Sequence, residues 1–253
     1  MMDFKTNLEN YNLLLTQFKQ IQEEGGNLRF DRCGIIASDV ASQFYCEKKV
    51  EMQYLYGKVE TEEKISGTQA HEALAMDALK TDRSSLWEKI FLDKPIFVLE
   101  ILLLAKYKNV FLSGKPDSVL FKEGIPLLVL EYKFSKSDVA YPSYHVQAQT
   151  YGFLLEQMGF NTDRLSYVIV VANPITKGNR DLRKNVIRKV MANRSAIGSH
   201  LVDGAKIYIN KYNRLCAEMD LNWALEYWMG KRNAKPTNNH LKCEKCEYFD
   251  KCS

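Results

Sequence analysis

Apolar residues at Leu8, Tyr11, Leu15 and Phe18 recur at helical spacing, so residues 1–30 are expected to form an amphipathic helix. Glu23-Glu24-Gly25-Gly26-Asn27 follows as a turn or break. A second helix is expected from near Ser38, whose hydroxyl suits an N-cap, through Val40, Phe44 and Tyr45 towards Tyr54. Gly67 opens a third, GTQAHEALAMDAL, with Ala70, Leu74 and Ala78 as its apolar stripe. From Phe97 the period changes. Val98–Leu104, Val110–Phe121 and Leu127–Phe134 are rich in Val, Leu and Phe, and turn-like Lys106–Asn109 and Lys122–Pro126 separate them. They read as three strands joined by short links. A helix is expected from about Tyr144 to Met158, closed by Gly159, then a doubly buried strand at Leu165–Val171. Residues 173–180 read as a loop, and 181–195 and 200–230 as helices before a Pro-Thr-Asn-Asn linker and a cysteine-rich tail.

The fold class expected is α/β: a mixed central sheet flanked by helices, with a helical amino-terminal part. The expected division is 1–30 as a helical extension, 31–95 as a helical region, 96–200 as the sheet-bearing core, and 201–253 as a closing helix and tail.

Composition narrows the classes. The 253 residues are 46% hydrophobic and 11% aromatic, too apolar for a disordered chain. The longest apolar candidate, Ile96 to Ala105, is interrupted by Glu100 and is far short of a bilayer span. MMDFKTNLENYN lacks the basic and apolar regions of a secretory signal, so a cytoplasmic protein is expected. Lys and Arg number 35 against 31 Asp and Glu, a net charge of +4 that permits a nucleic-acid partner without arguing for one.

Charge inside the strands carries the chemistry. Asp117 sits in an otherwise apolar run, LSGKPDSVLF, and Glu131 and Lys133 lie two apart in LLVLEYKF. A strand's period of two sends Glu131 and Lys133 to one face and Tyr132 to the other. Charges in a buried strand cost free energy unless paired or bound to metal. Two carboxylates suit Mg²⁺ or Mn²⁺, and a lysine beside them can position water and stabilise charge on a phosphate. E-x-K alone is common on solvated strands; the P-D-x(13)-E-x-K order is what makes a site the better reading. Gly114-Lys115 is not a P-loop, because Asn109 stands at the upstream glycine position and Pro116 where Ser or Thr belongs.

With these residues the chain resembles the PD-(D/E)xK nucleases, whose core is restriction-endonuclease-like, and more narrowly the RecB-type exonucleases. Gln147 and Tyr151 in HVQAQTYGF match the Q-x-x-x-Y signature of that branch. Four apart on a helix, they share a face and could contact the DNA backbone. His71 in GTQAHEAL matches its upstream histidine. The resemblance implies His71, Asp117, Glu131 and the Tyr132 carbonyl as ligands of Mg²⁺ or Mn²⁺, and Asp117, Glu131 and Lys133 as catalytic residues. Arg180, Lys184 and Arg188, four apart, could add phosphate contacts or form an ordinary solvated face.

Cys243-x-x-Cys246-x(5)-Cys252 supplies three thiols, and Cys33, Cys46 and Cys216 are candidates for a fourth. Spacing fits zinc or an iron–sulfur cluster equally. The resemblance selects Cys46, in SDVASQFYCEKK, and [4Fe-4S] over zinc. A one-plus-three cysteine layout without a helicase motor resembles the CRISPR-associated RecB-like exonucleases, the Cas four family. That resemblance, from about Ile35 to Cys252, implies 5′-to-3′ hydrolysis of single-stranded DNA, spacer acquisition in antiviral defence and an integrase partner. The competing expectation is a non-catalytic DNA-binding or structural subunit with a zinc staple; a complete His–Asp–Glu–Lys set argues against it.

Overall fold

The structure, a computed structural model, describes residues 3–59, 83–135, 137–173, 180–193 and 197–252. The elements run α1 (Phe4–Glu24), β1 (Gly34–Ile36), α2 (Ala37–Tyr56), α3 (Arg83–Ile90), β2 (Ile96–Leu99), β3 (Leu103–Tyr107), β4 (Val110–Gly114), β5 (Ser118–Lys122) and β6 (Ile125–Phe134). They continue with α4 (Pro142–Gln157), β7 (Ser166–Ala172), α5 (Arg180–Asn193), β8 (Gly198–Val202), β9 (Ala205–Lys211), α6 (Arg214–Trp228) and α7 (His240–Glu244). The architecture is α/β, mixed sheets flanked by helices with a helical amino-terminal part. The expected third helix around Gly67–Leu79 lies outside the described residues.

A six-stranded sheet, ordered β2-β5-β6-β7-β9-β8, is mixed: β6 and β7 run parallel and its other pairs are antiparallel. A second sheet, β1-β4-β3, has three strands. Two apolar runs expected as single strands each bend from one sheet to the other. Val98–Leu104 breaks into β2 and β3 at Glu100, whose φ is +46°, and Val110–Phe121 breaks into β4 and β5 around Pro116. Glu100 and Ser113–Ser118 interrupt the two runs at the bends, but the apolar residues on either side read alike because each half buries its side chains in its own sheet.

The period-two rule sorts β6 between two cores. Leu128, Leu130 and Tyr132 pack with Leu182, Val186 and Val190 of α5, while Val129 belongs to the larger core with Phe153 and Leu154 of α4. The stretch 200–213, expected as helix, is instead the β8–β9 hairpin and its exit. Asp203-Gly204, with φ of +48° and +78°, forms a two-residue loop of the kind Asp-Gly favours. Ala205, Ile207 and Ile209 are buried at alternate positions.

Helix α4 buries most of its residues, Gln147 and Thr150 included, and packs in the larger core against α2, α6 and both sheets. Pro142 opens it, where a missing N–H costs nothing. Gly159, at φ +86°, ends it. The Gly159 N–H donates to Glu156 O and the Phe160 N–H to Leu155 O, at 2.9 and 3.1 Å, which is the Schellman arrangement. Asn7 of α1 reaches the same end, donating from Nδ2 to Met158 O at 2.7 Å, while its Oδ1 accepts from Trp87 Nε1 at 2.7 Å. Helix α1 is capped by Asp3, whereas α2 starts at Ile36–Ala37 with no side-chain cap; Ser38 lies inside it.

Half-buried His145 of α4 has Nδ1 3.1 Å from the Tyr167 hydroxyl, and burial holds its imidazole below the ordinary pKa. A depressed histidine pKa means the unfolded chain takes up the proton first. Its contribution to stability is therefore full above the unfolded pKa and lost as pH falls towards the folded one. Between about pH 7 and about pH 5 the melting temperature of His145→Gln should fall less than that of wild type. Equal falls in thermal denaturation would remove His145 as a source of acid sensitivity.

Among the described residues, no helix is long and apolar enough to cross a membrane.

Candidate active site and cysteine cavity

The two bends between sheets open a cleft of about 530 Å³, lined among others by Ser38, Glu100, Gly114, Asp117, Glu131 and Lys133. Strand β5 stops pairing at Ser118, opposite Leu130. By register the residue facing Tyr132 would be Pro116, and proline interrupts a ladder. The Tyr132 N–H therefore donates to the Asp117 carboxylate instead, at 2.6 Å. That bond fixes Asp117 beside the end of β6, where Glu131 and Lys133 emerge.

The Glu131 side chain is only 5% exposed, and a buried carboxylate is costly without compensation. Compensation is local. Glu131 Oε1 accepts from Lys133 Nζ at 2.9 Å and from Gln147 Nε2 at 2.8 Å. Lys133 Nζ also donates to Gln147 Oε1 at 2.7 Å. Gln147 Nε2 donates to the Tyr151 hydroxyl at 2.7 Å, and that hydroxyl donates to Lys115 O at 3.3 Å. Burial pulls the Lys133 pKa down, but attraction to Glu131 and Asp117 outweighs it and the net shift is upward. Lys133 is thus an ammonium at neutral pH. Burial first, then the charges of Glu131 and Asp117, pushes the Tyr151 phenol well above its ordinary value, so it stays a neutral donor.

Asp117, Glu131, Lys133, Gln147 and Tyr151 are thus brought together, while Tyr132 sends its ring into the opposite core. His71 lies outside the described residues. Two features were missed from sequence. Glu100 lines the cleft, having looked like a mere interruption of an apolar run. Gly114 gives room to the Tyr151 ring: a Cβ there would meet Tyr151 Cε1 at 2.7 Å. Its signal was the Gly-Lys pair that fails as a P-loop. Carboxylate oxygens from Asp117 and Glu131 on one cleft wall are the donor type a hard divalent cation takes. Among the described residues, no three His, Cys, Asp or Glu side chains converge on a single-ion site. Lys184 and Arg188 lie on α5, which packs on the sheet face opposite the cleft.

A second cavity, of about 440 Å³, is lined by Cys46, Cys243, Cys246 and Cys252 together with Tyr45 and Tyr248. Helix α2 kinks at Cys46, whose backbone is extended. Consecutive tight turns, Cys246 N–H to Cys243 O at 2.9 Å and Cys252 N–H to Phe249 O at 3.2 Å, fold the tail around it. A Lys49–Glu247 ion pair at 2.8 Å and a 2.5 Å bond from the Tyr248 hydroxyl to Gly57 O dock the tail on α2. Burial, then the neighbouring Cys46 and Cys246, raises the Cys252 thiol pKa against the opposing charge of Lys48. The other two cysteines are elsewhere: Cys33 Sγ donates to Ile21 O at 3.6 Å, and Cys216 is exposed on α6.

The PD-(D/E)XK nuclease superfamily model matches residues 39–253. The chain belongs to the PD-(D/E)XK nuclease superfamily. Membership supports a nuclease with DNA as substrate, in a superfamily whose members generally use Mg²⁺ or Mn²⁺. Among solved structures, one titled "Crystal structure of SSO0001" is similar at a TM-score of 0.49 and 15% identity, over 95% of this chain and 93% of that one. No curated protein matches the sequence.

Proposed function

We propose that this PD-(D/E)XK superfamily member is a cytoplasmic, metal-dependent exonuclease that hydrolyses single-stranded DNA from the 5′ end, of the RecB-like kind found beside CRISPR integrases. The observation that carries the nuclease reading is the shared cleft of Asp117, Glu131 and Lys133, with Lys133 hydrogen-bonded to Glu131 and Gln147. Asp117, Glu131, the Tyr132 carbonyl and His71 would hold Mg²⁺ or Mn²⁺. The bound ion supplies Lewis-acid stabilisation of the scissile phosphate and a more acidic water. Lys133, held charged, orients the attacking water and offsets negative charge that grows on the phosphate. Gln147 and Tyr151 fix Glu131 and Lys133 from the α4 side and steady the strand. Release of nucleotides from end-labelled single-stranded DNA, dependent on Mg²⁺ or Mn²⁺ and abolished by chelator, is the expected result. No release with either ion would sink the reading, and label lost first from the 3′ end would reverse the polarity.

The cysteine cavity is assigned to a [4Fe-4S] cluster held by Cys46, Cys243, Cys246 and Cys252. All four thiols line one cavity, a donor set that suits zinc or an iron–sulfur cluster, and the resemblance to the cluster-bearing RecB-type nucleases favours the cluster. Its role is structural, stapling the tail to α2. Wild-type protein purified without oxygen should absorb broadly near ~400 nm. Cys46→Ser should lose most of that absorbance and Cys33→Ser none. A colourless wild-type protein that contains zinc would replace the cluster with the metal staple.

A further inference from the structure

The face of α4 that carries Gln147 and Tyr151 begins one turn earlier, at Tyr144. Residues 144, 147 and 151 are three and four apart, so their side chains lie in one row along the helix. All three bear on Glu131 and Lys133. Gln147 bonds both of them, Tyr151 bonds Gln147, and the half-buried Tyr144 ring has its centroid 5.2 Å from Lys133 Nζ. The ring is itself held. Tyr141 meets it edge to face at 5.5 Å, and the Tyr144 N–H donates to Tyr141 O at 2.9 Å in the first turn of the helix.

Lys133 stands on a flexible four-carbon stem, and its ammonium has three donors. Two are committed, to Glu131 Oε1 at 2.9 Å and to Gln147 Oε1 at 2.7 Å. Nζ can pivot about the line joining those acceptors, so the two bonds alone do not fix where the third donor points. A cation within about 6 Å of an aromatic centroid is drawn to the negative face of the ring, most strongly where water is scarce. The Lys133 side chain is only 20% exposed. A separation of 5.2 Å is longer than a hydrogen bond, so the ring attracts the charge without consuming the third donor. Lys133 lines the cleft and Tyr144 does not, so the ring backs the ammonium from outside the cavity. We propose that Tyr144 is a positioning residue, whose ring holds the Lys133 ammonium with its third donor turned into the cleft, towards the attacking water. The assignment rests on the nuclease reading for the step that it assists. It extends the part of α4 in the site from two residues to three.

The test compares Tyr144→Phe, which keeps the ring face, with Tyr144→Leu and Tyr144→Met, which fill the half-buried position without one. In steady-state hydrolysis of single-stranded DNA with Mg²⁺, kcat should fall about 3- to 30-fold in the leucine and methionine variants, the range such a contact is worth. Rates are compared at a temperature where all the proteins are folded. KM should keep its wild-type value, because an interaction made only as charge develops lowers kcat alone. Tyr144→Phe should match wild type. In a Lys133→Ala background Tyr144→Leu should cost nothing further, since the ring acts only through the lysine. The contact itself is read by NMR on the metal-free full chain carrying lysine labelled with ¹³C at Cε, where the Lys133 signal is the one lost in Lys133→Ala. In wild type its ε-protons should show a nuclear Overhauser effect to the Tyr144 ring, a reading that needs no apolar variant to fold. Wild-type kcat in both apolar variants overturns the assignment, as does an equal loss in Tyr144→Phe. An undiminished cost in the Lys133→Ala background, or a missing Overhauser effect, overturns it too. A rise in KM alone makes Tyr144 a strand contact and overturns positioning. If wild type hydrolyses no DNA, the nuclease reading falls on that result, while the lysine signal still decides whether the ring holds the ammonium.

Discussion

Hydrolysis of single-stranded DNA by Lys133→Ala protein is expected to run about 10²- to 10³-fold slower than wild type, the usual loss when a preorganised group that stabilises transition-state charge is removed. The lysine is not free to be replaced by solvent. Its Nζ is held 2.9 Å from Glu131 and 2.7 Å from Gln147, and the attraction of Glu131 and Asp117 keeps it charged despite burial. Positive charge therefore faces the cleft before substrate arrives, and no reorganisation is needed as negative charge grows on the phosphate. Removal also leaves Glu131, at 5% exposure, without its cation, so the variant should melt below wild type. Rates must accordingly be compared at a temperature where circular dichroism shows both proteins folded. Asp117→Ala should lose activity to a similar degree, and it additionally frees the Tyr132 N–H that Asp117 accepts. A folded Lys133→Ala or Asp117→Ala protein that digests the strand at the wild-type rate would dispose of the assignment.

The largest effect on stability is expected at Arg232. Glu47, the residue after Cys46, has a side chain with 0% exposure. Its carboxylate accepts from Arg232 Nη1 and Nη2 at 2.6 and 2.7 Å, from Gln43 Nε2 at 2.7 Å and from the Lys235 N–H at 2.9 Å. The bidentate pair ties α2, immediately after its kink, to the segment that leads into the cysteine tail. A buried charge stripped of its partner costs about 3–5 kcal/mol. For a chain of this size each kcal/mol moves the melting temperature by about 2–4 °C, so Arg232→Ala should melt about 6–20 °C lower. Adding Glu47→Gln should recover much of the loss, because it removes the stranded charge. A melt of Arg232→Ala within about 2 °C of wild type would show that the pair does not hold the tail.

Some of this was visible in the linear sequence and some was not, for definable reasons. Glu131 and Lys133 could be assigned to one face because a strand has a period of two, and they do share the cleft while Tyr132 enters the opposite core. Gly159 could be read as a helix terminator because positive φ is cheap only for glycine, and its φ is +86°. The β8–β9 hairpin was misread as helix although its signals were present: Asp203-Gly204 at the turn and alternation at Ala205, Ile207 and Ile209. There, nearby helical spacing outweighed a short alternating run. The breaks in the two apolar runs were marked by Glu100 and by Gly114-Lys115-Pro116, but the assignment of their halves to different sheets was not, since burial in either sheet demands the same residue types.

The sequence by itself determined the chemistry available: which carboxylates, lysine, amide and thiols exist, their order, and which of them share a face within one element. Local periodicity and turn propensity are properties of neighbouring residues, so they survive in one dimension. Only the tertiary structure decided which of these groups meet. Pro116 ends the β5 ladder and turns the Tyr132 amide to Asp117; Gly114 admits the Tyr151 ring; the Cys46 kink faces the tail while Cys33 faces Ile21. Such meetings depend on contacts between residues distant in sequence, and a chain's spacing alone does not specify them.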